Sequence, residues 1–178
     1  MTALVFVDTN VLVYARDPRD APKRSLASDW IRFLWNEERG RTSVHVLNEY
    51  YDVLTRKYRP SVAREDAWED VEHYLSSWNP QPIDAEVLEC ARTVEARFRL
   101  NWWDCLVVAA AQVQNCVLLL SEDLQDGADY GGVIVRSPFT LRVSEESAAY
   151  TLPVRIASRH RGRGRPRRSS AHGTTTSG

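Results

Sequence analysis

Three short, uninterrupted apolar runs constrain this chain more than any other feature: Leu4–Val7, Val117–Leu120 and Val133–Val135. A strand with one wet face alternates apolar and polar residues. A strand apolar at every position is covered on both faces, as in a parallel sheet between layers of helix. The intervening segments carry the helical period instead. Leu26, Trp30, Phe33 and Leu34 follow Pro22 and stop before Gly40. Val44, Leu47, Tyr51 and Leu54 mark a second helix, which contains Glu49. A third is expected from Ser61 to Ser77 with Ser61 as N-cap. Asp84 opens a fourth (Val87, Leu88, Ala91, Val94, Phe98), and Trp103–Gln114 is an Ala-rich fifth. Arg41–Ser43 reads as a brief strand, and the break at Asn79-Pro80-Gln81-Pro82 has room for another. Strands alternating with helices predict an α/β domain, a parallel β-sheet flanked by α-helices.

Residues 1–143 form one such domain on this reading, and 144–178 an extension. From Arg155 the apolar pattern stops; Arg, Gly, Ser and Thr dominate, with seven arginines and no acid, the composition of a disordered basic tail. The formal net charge of -1 therefore conceals an acidic body. Arg163-Gly164-Arg165-Pro166-Arg167 is similar to an AT-hook. The simpler reading, which we prefer, is weak phosphate attraction by a solvated basic segment. Cys90, Cys105 and Cys116 are odd in number and set in apolar stretches, so they read as reduced core thiols in a cytoplasmic protein. No apolar run is long enough for a membrane span, and no secretory signal is evident.

In an open parallel sheet, ligands bind beyond the carboxyl ends of strands, where the strand order reverses. Asp8 directly follows Val7, and Asp123 comes just after Val117–Leu120. Asp104 opens the helix that precedes this strand, where a helix N-terminus favours an acid. Each acid has a local explanation when taken alone. Asp8 can cap a turn with Thr9 and Asn10, Glu49 can face solvent, Asp104 can be an N-cap, and Asp123 can form a turn with Gln125, Asp126 and Gly127. Gathered in one crevice they would raise each other's pKa and resist ionising together. A divalent cation removes that conflict, and oxygen ligands suit Mg²⁺ or Mn²⁺ rather than zinc. No His-x-x-x-His, Cys pair or Gly-rich phosphate loop points elsewhere.

Four blocks in order then resemble the PIN-domain ribonucleases, and among them the small VapC-type toxins of toxin–antitoxin pairs. They are Val7-Asp8-Thr9-Asn10-Val11-Leu12, Thr42 to Tyr51 around Glu49, Trp103 to Ala111 with Asp104, and Leu120 to Gly127 with Asp123. The similarity covers about residues 3–139. It implies a metal-dependent endoribonuclease, a homodimer and a cognate antitoxin. Asp8, Glu49, Asp104 and Asp123 would be the catalytic and metal-binding acids, Asp126 a further one, and Asn10 and Ser121 supporting polar neighbours. Relatives often carry Asn-Pro-Phe after the last strand, where this chain has Ser137-Pro138-Phe139. The alternatives are a non-catalytic nucleic-acid-binding or regulatory module and a haloacid-dehalogenase-like phosphatase. The phosphatase would want a second acid two positions after Asp8, where Asn10 stands. The six tryptophans read mostly as core, with Trp102 and Trp103 also placed to lie near substrate or partner through their proximity to Asp104.

Overall fold

The computed structural model describes residues 3–143. The basic extension and its Arg163–Arg167 segment lie outside the described residues. The sheet contains β1 (Val5–Val7), β2 (Gly40–Arg41), β3 (Leu118–Leu120), β4 (Asp129–Tyr130) and β5 (Val133–Arg136) in the order β2-β1-β3-β5-β4. β2, β1, β3 and β5 run parallel; only the edge strand β4 is antiparallel, returning to β5 through Gly131 and Gly132. Both central strands are wholly buried, as their unbroken apolar sequence demands.

The helices are α1 (Thr9–Arg16), α2 (Ala21–Asn36), α3 (Val44–Asp52), α4 (Arg64–Ser77), α5 (Ala85–Phe98) and α6 (Trp102–Val113), with α3 prolonged by a π-helical turn, Val53–Lys57. Asp20, Ser43, Asp84 and Asn101 cap α2, α3, α5 and α6 with side-chain oxygens, each satisfying a backbone N–H that the first turn leaves unpaired. α1 has no counterpart among the helices expected from the sequence, where Asp8, Thr9 and Asn10 read only as a turn. It forms because Asp8 accepts from the Thr9 N–H and because Val11 and Leu12 bury in the core, with α1 packed on α2 and α3.

Other boundaries move for local reasons. α4 starts at Arg64 rather than Ser61, since the Val62 N–H is drawn to the Leu54 carbonyl (3.0 Å) and Ala63 takes the cap position. The expected strand at 79–82 amounts to one bridge, Ser43 to Gln81. The three cysteines are free, two of them buried. Fewer tryptophans than expected are core: Trp30 and Trp78 are buried, whereas Trp35, Trp68 and Trp103 are exposed. No helix among the described residues is long and apolar enough to cross a membrane.

Gly40 shows how tightly β2 is held. A Cβ built there would sit 2.5 Å from the Trp78 ring, which also meets Tyr74 edge to face. Gly40→Ala should therefore cost about 1–3 kcal/mol by overpacking, read as a lower denaturant midpoint at unchanged m-value.

Candidate active site

The strand order turns back on itself between β1 and β3, and the crevice at their carboxyl ends is where side chains from distant elements meet. The Asp8 N–H continues the ladder to the Leu120 carbonyl (3.1 Å), so the residue that ends β1 is fixed against the end of β3. Its carboxylate is buried. Oδ1 accepts from the Thr9 N–H (2.7 Å), and Oδ2 accepts from Ser121 Oγ (2.7 Å) and Asn10 Nδ2 (3.0 Å). The Asn10 amide is shared with Ser121 Oγ (3.2 Å) and Asp123 Oδ2 (3.0 Å), while its Oδ1 accepts from the Glu122 N–H.

Glu49 projects from α3 and accepts from Thr9 Oγ1 at 2.8 Å. Asp104 lies in the first turn of α6. It is not the N-cap: Asn101 is, accepting from the Asp104 N–H (3.0 Å) while its own amide donates to the Asp104 carboxylate. Asp123 follows β3, its N–H held by Ser121 Oγ at 3.2 Å. All four acids line one cleft of about 370 Å³, together with Thr9, Asn10, His45 and Trp103. Ser121 is buried beneath it, bound to Asp8. Asp126 is not among the lining residues; it accepts from the Ser137 N–H (2.9 Å) and pairs with Arg136 (3.1 Å).

Asn101 and His45 are site neighbours beyond those expected from the sequence, where Thr9 figures only as a turn partner of Asp8. Thr9 stands directly beside Asp8, and Asn101 precedes Asp104 by three residues, the spacing of a reciprocal helix cap. His45 stacks on Trp103 with ring centroids 5.3 Å apart and planes 14° from parallel. Burial holds its imidazole below the ordinary pKa, with Glu49 pulling the other way.

The electrostatics reflect burial first and the neighbouring like charges second. Burial pushes Asp8 up to about 6, against the pull of Ser121 and Thr9, with Asp123 and Glu49 raising it further. Asp104 is raised by burial, then by Asp123 and Glu49, and lowered by Asn101. Arg19, the guanidinium that lines the cleft, is engaged with Asp17 through two bonds of 2.8 and 2.7 Å. Among the described residues no three acidic, imidazole or thiol groups converge to ligating distance. The Ser121 hydroxyl and the Thr9 N–H, both donating to Asp8, offset part of its upward shift. The donor chemistry nevertheless fits a hard divalent cation: the donors are oxygen, the charge surplus is negative, and the Asp8 carboxylate, largely buried, still faces the cleft.

Residues 5–125 match the family described as PIN domain. This chain belongs to the PIN-domain family. Among solved structures, it is similar to DNA-bound VapBC from Salmonella typhimurium (16% identity, 77% of this chain and 99% of that one, TM-score 0.56). A toxin-antitoxin complex from Klebsiella pneumoniae gives 20% identity, 77% and 98% coverage and a TM-score of 0.53. Mycobacterium tuberculosis VapC20, a Sarcin-Ricin loop cleaving toxin, gives 20% identity, 65% and 86% coverage and a TM-score of 0.50. These likenesses establish the fold that the spacing of strands and helices implied. No curated protein matches the chain.

Because burial pushes Asp8 up to about 6 in the folded chain, from 3.8 for an ordinary aspartate, the unfolded chain ionises first. Its stabilising contribution is complete below about pH 4 and is lost as pH rises through 6. Asp8→Asn should thus raise the stability of the metal-free protein at pH 7.5 by about 1–3 kcal/mol and flatten the slope between pH 4 and 7. Chemical denaturation across that range, on both proteins in chelator, is the check.

Proposed function

We propose that this PIN-domain protein is a metal-dependent endoribonuclease and the toxin component of a toxin–antitoxin pair. The observation that carries the reading is the meeting of Asp8, Glu49, Asp104 and Asp123, drawn from four separate elements, around one cleft at the switch point of the sheet. The kinship with a toxin-antitoxin complex and with a toxin that cleaves RNA supports the class of substrate and partner. A homodimer, and an antitoxin that covers the cleft until it is released, complete the proposal.

The four acids would hold Mg²⁺ or Mn²⁺, which supplies the positive charge that phosphodiester hydrolysis requires at the phosphate and at the departing oxygen. Everything else is done by this chain's own side chains. Thr9 aims the Glu49 carboxylate, and Asn101 fixes Asp104 from the cap of its own helix. Ser121 and Asn10 donate to Asp8 and favour its ionised form against the burial that opposes it. An RNA strand in the cleft would be cut to a 5′-phosphate and a 3′-hydroxyl. Among the described residues no serine or cysteine lines the cleft, and the phosphatase reading lacks its second acid, since Asn10 is hydrogen-bonded into the acid cluster instead.

Purified protein freed of partner should make discrete cuts in a total RNA pool with Mg²⁺ or Mn²⁺ and none in chelator. Asp104→Asn and Glu49→Gln should each reduce cleavage by roughly a thousandfold or more while circular dichroism stays unchanged, a loss typical of a transition-state charge contact. Asn101→Ala, which leaves every acid in place, should cost roughly tenfold through misplacement of Asp104. Turnover unaltered in both acid variants would refute the assignment.

A further inference from the structure

The loop that leaves β3 carries two acids in a row, Glu122 and Asp123, and of the two only Asp123 lines the acidic cleft. Glu122 turns the other way, onto Lys23 at the start of α2, with which it forms an ion pair. Building on the metal-dependent reading, we propose that Lys23 is a positioning residue: by holding Glu122 out of the cleft, it fixes this loop in the arrangement that presents Asp123 to a divalent cation.

The seat of Lys23 is the first reason. Its Nζ donates to Tyr14 Oη (3.2 Å) and lies 4.4 Å from the centroid of the Tyr14 ring and 4.9 Å from that of Phe139. The two rings meet edge to face, with centroids 5.1 Å apart, and so form two walls around the ammonium. Its backbone N–H is bound by Asp20 Oδ1 at 3.1 Å. An ion pair in open water is worth little, because both side chains stay free. Here cation–π attraction adds to the pair, and the Lys23 side chain is only 29% exposed. One ammonium thereby ties α1, α2, the loop after β3 and the Ser137-Pro138-Phe139 turn together.

Its place in the helix is the second. The first turn of a helix favours acids and disfavours cations, yet α2 has no acid there and carries Lys23 instead. A residue that breaks a local rule is compensated from elsewhere in the fold, and the compensating charge is Glu122, the residue next to Asp123. The loop has need of the tie. Residues 122–124 are bends rather than regular structure, and Asp123 is exposed. Its other ties all come from the cleft side: the Glu122 N–H donates to Asn10 Oδ1 (3.2 Å), the Asp123 N–H to Ser121 Oγ (3.2 Å), and Asn10 to Asp123 Oδ2 (3.0 Å). Lys23 holds the same loop from behind.

The test reads Mn²⁺ binding to the full chain by titration calorimetry, without RNA, beside chemical denaturation in chelator. Lys23→Met should weaken Mn²⁺ binding roughly tenfold, the size of effect expected when a residue supporting a metal ligand is removed. The sign is diagnostic. Loss of a nearby positive charge would by itself tighten binding of a cation, so a weaker Kd reports misplacement. Lys23→Arg, which keeps the charge, should recover most of the loss. Lys23→Met combined with Glu122→Ala leaves the net charge as it was and should bind about as weakly as Lys23→Met alone, because both remove one shared contact. Mn²⁺ binding unchanged or tightened in Lys23→Met would overturn the proposal, as would a loss of stability in chelator with Mn²⁺ bound as in the wild type. Should Lys23→Met fail to fold, Phe139→Leu removes one wall of the seat at constant charge; a smaller weakening is expected, and unchanged binding overturns the proposal. The nuclease reading fails separately: Lys23-dependent Mn²⁺ binding with no metal-dependent cuts in RNA by the wild type removes that reading and keeps the positioning role. Cuts together with Lys23-independent Mn²⁺ binding do the reverse, and a wild type that binds no Mn²⁺ removes both.

Discussion

The hydrogen bond from Ser121 Oγ to the buried carboxylate of Asp8 joins the carboxyl ends of the two central strands, and the rest of the site is arranged around it. Burying a carboxylate is costly unless its oxygens are met. Here they are met by Ser121, by the first backbone N–H of α1 and by Asn10. The same contacts cap a helix, align β1 with β3 and set the position of Asp123 through the Ser121 hydroxyl. A residue whose local role is that of a helix cap is thereby also the deepest member of an acidic cluster. Helix cap and proposed catalytic acid are compatible roles for Asp8.

The neutral bridging side chains show how such a cluster persists. Asn10 reaches Asp8 and Asp123 at once, Thr9 reaches Glu49, and Asn101 reaches Asp104. Every acid is met by a neutral donor, Asp8 and Asp123 sharing Asn10, so among the described residues the carboxylates are kept near one another with no arginine or lysine bonded between them. The cleft's own arginine is engaged with Asp17. A site built this way keeps its negative charge available for whatever positive group enters.

The parallel sheet was legible because Leu4–Val7, Val117–Leu120 and Val133–Val135 are apolar at every position, which leaves little choice but two-sided burial. The acids were legible because two of them sit directly after such runs. What stayed hidden depended on tertiary context. The segment after Asp8 reads as a turn until Asp8 is seen to cap a helix there, and β4 is a two-residue edge with almost no pattern of its own. Asp104 reads as an N-cap until Asn101 is found to hold that place. Asp126 looks no different from Asp123 in sequence, yet Arg136 and the Ser137 N–H engage it away from the cleft. The exposed tryptophans are the same case, since hydrophobic character alone does not say which indoles the core has room for.

The pairing of β1 with β3 has a consequence for synthesis. Asp8 leaves the ribosome early, but its strand partner and its hydroxyl donor arrive more than a hundred residues later, at Leu118 to Ser121. Contacts so far apart in sequence form late, because the chain between them must be ordered first. A nascent or truncated chain ending before β3 would carry three of the four acids with no crevice to gather them. The cleft comes into being only when the domain is nearly complete, so the span of the chain itself delays the onset of whatever chemistry the cleft performs.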